Sequence, residues 1–192
     1  MLILIFCIMI SLIATITFKG IGLINVFKTM MTLIYPQLFF AVLFVMSVYP
    51  DERIGRMMIV LTSAMAVATD TFAYFSGALF GKRKLIPSVS PKKTVAGASG
   101  GVAGTVAVSI LIGLFLQDAM KTAIGLCHFI ILGVVLSVLA QFGDLAASMF
   151  KRHFNVKDFG NIIPGHGGIM DRMDSVLFIC PAVYAYFMVF IV

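Results

Sequence analysis

Met57 to Phe80 reads MMIVLTSAMAVATDTFAYFSGALF, an apolar run holding one charged side chain, Asp70. A membrane-spanning helix needs about 20 mainly apolar residues, so this stretch is long enough to cross a bilayer. Its aspartate stands ten residues before the run ends, roughly 15 Å deep at the helical rise per residue. An ionisable group at that depth is costly and marks function by default. For Asp70 two roles stay open: a contact to a substrate, or a structural hydrogen-bond hub.

The same composition extends outward from this run. The chain has 192 residues, of which 61% are hydrophobic and 11% charged, and its mean hydropathy is +1.10. Soluble domains carry about 25% charged residues, so a soluble globular protein is excluded. Five further apolar stretches approach spanning length: Leu2 to Phe18, Met30 to Tyr49, Gly100 to Leu116, Thr122 to about Ala147, and Asp174 to Val192. The expected fold is all-α, a polytopic integral membrane protein with about six transmembrane helices in a single domain over residues 1–192. The first stretch lacks a basic leader and a small-x-small cleavage pattern, so it reads as a span and not a signal peptide. Cys7, Cys127 and Cys180 all fall inside expected spans, without C-x-x-C spacing, and read as small buried apolar residues.

Charge orients the spans. Regions 19–28, 81–99 and 148–173 hold eleven of the fourteen Lys and Arg residues, and the alternate regions hold Arg53, Arg56 and Lys121. Positive loops stay in the cytoplasm, which places the two long polar loops there and both termini outside. Gly77 and Gly81, Gly97 and Gly101, and Gly100 and Gly104 form G-x-x-x-G pairs, the spacing that lets helix backbones approach closely in lipid. Pro36 and Pro181 lie inside spans and read as packing kinks.

Chemistry concentrates in the run SMFKRHFNVKDFGNIIPGHGGIMDRMD from Ser148 to Asp174. Asp171 and Asp174 stand three apart at a helix entrance and share one face. With Asp144 at the end of the preceding span and Asp70 on another helix, they can converge on one pocket. Clustered carboxylates repel or protonate unless a cation joins them. Magnesium suits such a set, because it takes oxygen ligands and is held by one or two carboxylates plus substrate phosphates. Asp144 and Asp171 are the expected ligands. The plainer account of Asp171 and Asp174 is a helix dipole complemented by acids, which leaves Asp144 and Asp70 unexplained. Lys82, Arg83 and Lys84 suit anionic lipid. Ser90, Lys92, Lys93 and Thr94 interleave hydroxyls with ammonium groups ahead of a helix, a pattern that favours anions. Gly165, Gly167 and Gly168 permit a tight turn about an oxyanion, and His166 sits inside it. His153 reads as interfacial and His128 as a packing residue.

Position for position, Ser148, Lys151, Arg152, Lys157, Asp158, Gly160, Pro164, His166, Gly167, Gly168, Asp171, Arg172 and Asp174 resemble the signature of the phosphatidate cytidylyltransferases, or CDP-diacylglycerol synthases. Asp70 to Tyr74 (DTFAY), Gly81 to Leu85 (GKRKL) and Ser90 to Thr94 (SPKKT) resemble that family's upstream motifs in the same order. The resemblance covers residues 57–192, the expected catalytic core, more closely than 1–56. It implies transfer of a cytidylyl group from CTP to phosphatidate, with magnesium, in an integral membrane protein acting at the cytoplasmic face (of the inner membrane in a bacterium). A homodimer is implied and a nucleic-acid partner is not. By the same resemblance Asp144, Asp171, Asp174, Lys151 and Arg152 are catalytic. Asp70, Ser90, Lys92, Lys93, Thr94, Lys157, Asp158, His166, Gly167, Gly168 and Arg172 then bind substrate.

Two features depart from the family. Its members follow S-P-K-K-T with Trp and Glu, where Val95 and Ala96 stand here, and they are usually longer. The alternatives are a CTP-dependent kinase or a cytidylyltransferase for another lipid, an inactive relative, and a cation or solute transporter. Transporters commonly carry inverted repeats, and the two halves of this chain show no such pairing.

Overall fold

A computed structural model of the chain describes residues 9–10, 13–14, 16–17, 23–120, 125–160 and 168–191. The elements run α1 (Leu23–Ser47), α2 (Glu52–Phe80), β1 (Lys84–Ile86), β2 (Ser90–Thr94), α3 (Val95–Met120), α4 (Leu126–His153) and α5 (Met170–Phe190). Among the described residues, four helices (α2 to α5) are long and apolar enough to cross a membrane, and α1 contributes the shorter apolar run Pro36–Ser47. Of the expected six, four are thus seen as spanning helices among the described residues. The stretch Leu2 to Phe18 lies largely outside the described residues, and its described residues are helical.

Helix ends depart from the hydropathy boundaries for local reasons. The second helix begins at Glu52, because Asp51 caps it by accepting from the Arg53 and Ile54 amides at 2.8 and 3.4 Å. A side-chain acceptor at this position satisfies the amides that a helix start leaves open. The fourth helix runs on through Lys151, Arg152 and His153, whose cations favour the negative end of its dipole. It closes where Asn155 takes a φ of 54°, with Val156 N–H donating to Lys151 O at 2.9 Å and Asn155 N–H to Arg152 O at 3.2 Å. That pair of bonds is a Schellman motif, and asparagine tolerates the left-handed residue it requires. The polar run expected as a loop over 148–173 is thus helix at both ends.

Region 81–99 is a hairpin and a helix start, a short ribbon beside an otherwise all-α fold. The antiparallel register pairs Lys84 with Thr94 and Ile86 with Ser90, with an irregularity between them. Pro91 lacks an N–H, which a two-stranded ribbon tolerates because each strand keeps a free edge. Thr94 then caps α3 by accepting from Gly97 N–H at 3.1 Å.

Small residues set the α2–α3 distance. A Cβ on Gly97 would lie 2.8 Å from the Ala73 carbonyl oxygen and 3.3 Å from Gly77 Cα; only glycine allows that approach. Deeper in, the Thr69 and Thr105 hydroxyls meet at 2.8 Å and are fully buried. On the other side of α3, Ser109 donates to the Phe129 carbonyl of α4 at 2.7 Å. Met58, Leu61 and Met65 of α2 pack with Leu132, Leu136 and Ala140 of α4 and with Ile179, Val183 and Phe187 of α5. Cys180 joins this core, whereas Cys127 is exposed in the first turn of α4, on the side of the helix away from the contacts that Phe129 and His128 make. His128 packs against Tyr186 and Phe190, with ring centroids 6.3 and 5.2 Å away.

Candidate functional site

One end of the bundle gathers the polar residues. Between the second half of α2, the hairpin, the start of α3 and the last third of α4 lies a cavity of about 390 Å³. It is lined by Asp70, Tyr74, Lys92, Lys93, Thr94, Gln141 and Asp144, with small residues Ala73, Gly77, Ala78, Gly97 and Ala98 between them. The glycine contact that draws α3 against α2 therefore also shapes the cavity wall. The hairpin supplies its cations because β2 runs directly into α3, which is itself fixed to α2.

Lys93 crosses from the hairpin to α4. Its ammonium lies 2.7 Å from Asp144 Oδ2 and donates to the Gln141 carbonyl at 3.4 Å. The other oxygen of Asp144 accepts from Ser148 Oγ at 3.4 Å, one turn along α4. Both side chains of the ion pair are partly open to solvent, at 23% and 32% exposure. Gln141 was not singled out from sequence, yet its amide donates to the Ala98 carbonyl at 3.2 Å and to Ser137 Oγ at 3.4 Å. It ties α4 to the first turns of α3. Only its place three residues before Asp144, one helical turn away on the same face, would have flagged it.

Asp70 accepts from Ser175 Oγ at 3.5 Å, joining α2 to α5 beside the cavity. Asp174 is 7% exposed, and its carboxylate accepts from the Ser175 amide at 2.8 Å. Asp144 acts electrostatically on both Asp70 and Asp174. Of the four acids expected to share one pocket, Asp70 and Asp144 line the cavity, while Asp174 and Asp171 are not among its lining residues.

Asp171 forms a separate knot. One oxygen lies 2.9 Å from the Lys151 ammonium, and the other accepts from the Phe159 and Gly168 amides at 2.9 Å each. The lysine also stands 5.4 Å from the centre of the Phe159 ring. These contacts tie Phe159 and Gly168 to Asp171 of α5, and Asp171 to Lys151 of α4. Arg152, Lys157, Asp158 and Arg172 are exposed and do not line the cavity; Ser90, at the start of β2, does not line it either. His166 and Gly167 lie outside the described residues.

Among the described residues no three His, Cys, Asp or Glu side chains form a ready metal cluster. Magnesium asks less of the protein, one or two carboxylates being enough when substrate phosphates complete the shell. Asp144, a hard oxygen donor at the cavity wall, fits that demand. Asp171 has both oxygens engaged, so it would bind a metal only by giving up a present partner.

Fold and cavity together define a polytopic, mainly α-helical integral membrane protein whose acids and lysines meet at one end of the bundle. The model of the cytidylyltransferase family matches residues 1–190, and the chain belongs to that family. It is 41% identical over 133 residues to a phosphatidate cytidylyltransferase of Bacillus subtilis, covering 69% of this chain and 48% of the relative. It is 36% identical over 168 residues to one of Thermotoga maritima, covering 85% and 61%. A third, from Staphylococcus epidermidis, is 43% identical over 133 residues, covering 69% and 50%. The chain spans about half to three fifths of the length of these curated relatives.

Proposed function

We propose that the chain transfers the cytidylyl group of CTP to phosphatidate, giving CDP-diacylglycerol and pyrophosphate for phospholipid synthesis. The observation that carries this reading is the cavity, where Lys92, Lys93 and Asp144 converge from hairpin and helix in a chain similar to phosphatidate cytidylyltransferases over most of its length. A phosphatidate oxygen attacks the α-phosphorus of CTP, and the bond to the pyrophosphate oxygen breaks. No covalent enzyme intermediate is needed, so catalysis is mostly positioning and charge neutralisation. Lys92 and Lys93 hold phosphate oxygens at the cavity, while Thr94 fixes the helix start beside them. Asp70, coupled to Asp144, orders the acidic side of the cavity. Lys151 and Arg152, at the end of α4, supply positive charge for the phosphates, with Lys157, Asp158 and Arg172 as outer substrate contacts.

Magnesium is the proposed cofactor, held by Asp144 and, after exchange of its lysine, Asp171, with Asp174 close by. When bound it would offset charge on the phosphate oxygens of CTP. The basic regions support a cavity at the cytoplasmic face, and the resemblance supports a homodimer. The names of the relatives favour this reaction over a lipid kinase or a transporter. Purified protein in detergent, given labelled CTP, phosphatidate and magnesium, should release pyrophosphate only when both substrates are present. No release, with CTP still bound, would overturn the proposal.

A further inference from the structure

We infer that the outer side of the hairpin is a docking surface for the anionic headgroups of the membrane's own phospholipids, held by Lys82, Arg83 and Lys84. The structure divides the basic residues of this region into two sets. Lys92 and Lys93 line the polar cavity together with Leu85, whereas Lys82, Arg83 and Lys84 are exposed and do not line it. Among the described residues none of these three takes part in an ion pair. The chain carries no acidic residue between Asp70 and Asp118, so the run has no neighbouring acid in sequence to neutralise it.

Two backbone bonds fix the depth of the run. Gly81 N–H donates to the Gly77 carbonyl at the end of α2, and Val95 N–H at the start of α3 donates to the Arg83 carbonyl, each at 3.0 Å. Immediately before it, Leu79 and Phe80 close a spanning helix at 74% and 70% exposure. Lys84 is four residues past Phe80, at most about 14 Å even in a fully extended chain. The three cations therefore stand where the apolar zone ends and lipid headgroups begin. In β1, Lys84 and Ile86 are exposed and Leu85 between them is half-buried, so the strand presents a cation and an apolar side chain on one face. That pairing suits the boundary between headgroup and acyl chain. Each cation at an anionic surface gains about 1 kcal/mol, roughly fivefold in occupancy. A zwitterionic headgroup brings its own cation to the same place and loses that gain. The surface lies outside the cavity assigned to cytidylyl transfer, so it stands whether or not that reaction is confirmed.

The chain contains no tryptophan, which supplies the test. Ile86→Trp places one indole on the hairpin, and Ser88→Trp, at another exposed position, replaces it should the first variant fold poorly. Each protein is reconstituted in bilayers that mix phosphatidylglycerol with phosphatidylcholine, one of the two dibrominated, and bromine quenching of indole fluorescence is read. Phosphatidylglycerol should be favoured at the probe by at least fivefold, and replacing Lys82, Arg83 and Lys84 together by Gln should bring the two lipids close to equality. Val67→Trp, on an exposed site in the middle of α2, should show no preference. Equal association of both lipids with the hairpin probe overturns the inference, and so does a preference that survives the triple replacement. CTP or inorganic phosphate added at constant ionic strength should leave the preference in place. If either erases it, the three cations serve a soluble anion and the inference fails.

Discussion

The Lys93 ammonium sits 2.7 Å from Asp144 Oδ2, joining the hairpin to the fourth helix across 51 positions of sequence. This contact closes one side of the polar cavity and sets a cation against the acid proposed to bind magnesium. The two tasks conflict, since a lysine held by Asp144 competes with any metal there. Substrate phosphates resolve the conflict by offering the lysine a second anionic partner. Lys93→Met should therefore lower pyrophosphate release by about 10²- to 10³-fold, the usual loss for one preorganised charge-stabilising group. Unfolding in detergent should shift only modestly, because water reaches both side chains and the loss stays below the 3–5 kcal/mol of a fully buried pair. Lys93→Arg should recover part of the activity. Full activity in Lys93→Met would remove the lysine from the site.

Metal dependence is a separate expectation. Chelation should abolish turnover, and added magnesium should restore it. In Asp144→Asn the magnesium concentration for half-maximal rate should rise at least tenfold, since the neutral amide is a weaker ligand for a hard cation. A titration curve unchanged from the parent protein would place the metal elsewhere.

The parts legible in the sequence were those set by composition over long windows. Hydropathy marked α2 to α5 because spans need about 20 apolar residues. Gly77 and Gly97 announced the close α2–α3 contact through their four-residue spacing with Gly81 and Gly101. Ends were less legible. Lys151 to His153 and Asp171 count as loop on any hydropathy scale, yet helix dipoles welcome these charges at those termini. The hairpin was hidden because Pro91 and two lysines argue against strand, and local propensity yields to cross-strand pairing. Acids and lysines could be shortlisted, but their partners could not. Sequence spacing does not say that Lys93 meets Asp144 or that Lys151 meets Asp171, and Gln141 carries no motif of its own. The missing family glutamate falls at Ala96, in the first turn of α3, which holds no acidic residue.

Packing between α2 and α3 yields a stability prediction. In Gly97→Val the new Cβ would press on the Ala73 carbonyl at 2.8 Å and on Gly77 at 3.3 Å. Backbone cannot yield as a flexible side chain does, so the helices must part. Overpacking of this kind costs about 1–3 kcal/mol, and the cavity wall moves with α3. Thermal unfolding in detergent should fall, and activity should fall with it. The neighbouring change Val95→Ala, at an exposed position of the same turn, should alter stability little.

Asp171 is the residue for which structure most changes the expected phenotype. As a metal ligand alone, its replacement by asparagine would abolish turnover and leave the fold intact. The structure adds a mechanical role: its carboxylate holds Lys151 at 2.9 Å with one oxygen and the Phe159 and Gly168 amides with the other. An asparagine can keep its single oxygen on the two amides, but its NH₂ group then faces the ammonium. The lysine, 15% exposed, loses its anion with little water to replace it, a situation that costs several kcal/mol when a pair is fully buried. Asp171→Asn should therefore both abolish pyrophosphate release and loosen the segment after α4. Amide exchange at Phe159 and Gly168 should rise by at least tenfold. Lys151→Met in the same background should restore much of the protection by removing the stranded charge, without restoring turnover. If Asp171→Asn leaves exchange unchanged, the knot is not what holds this segment, and the metal role alone remains.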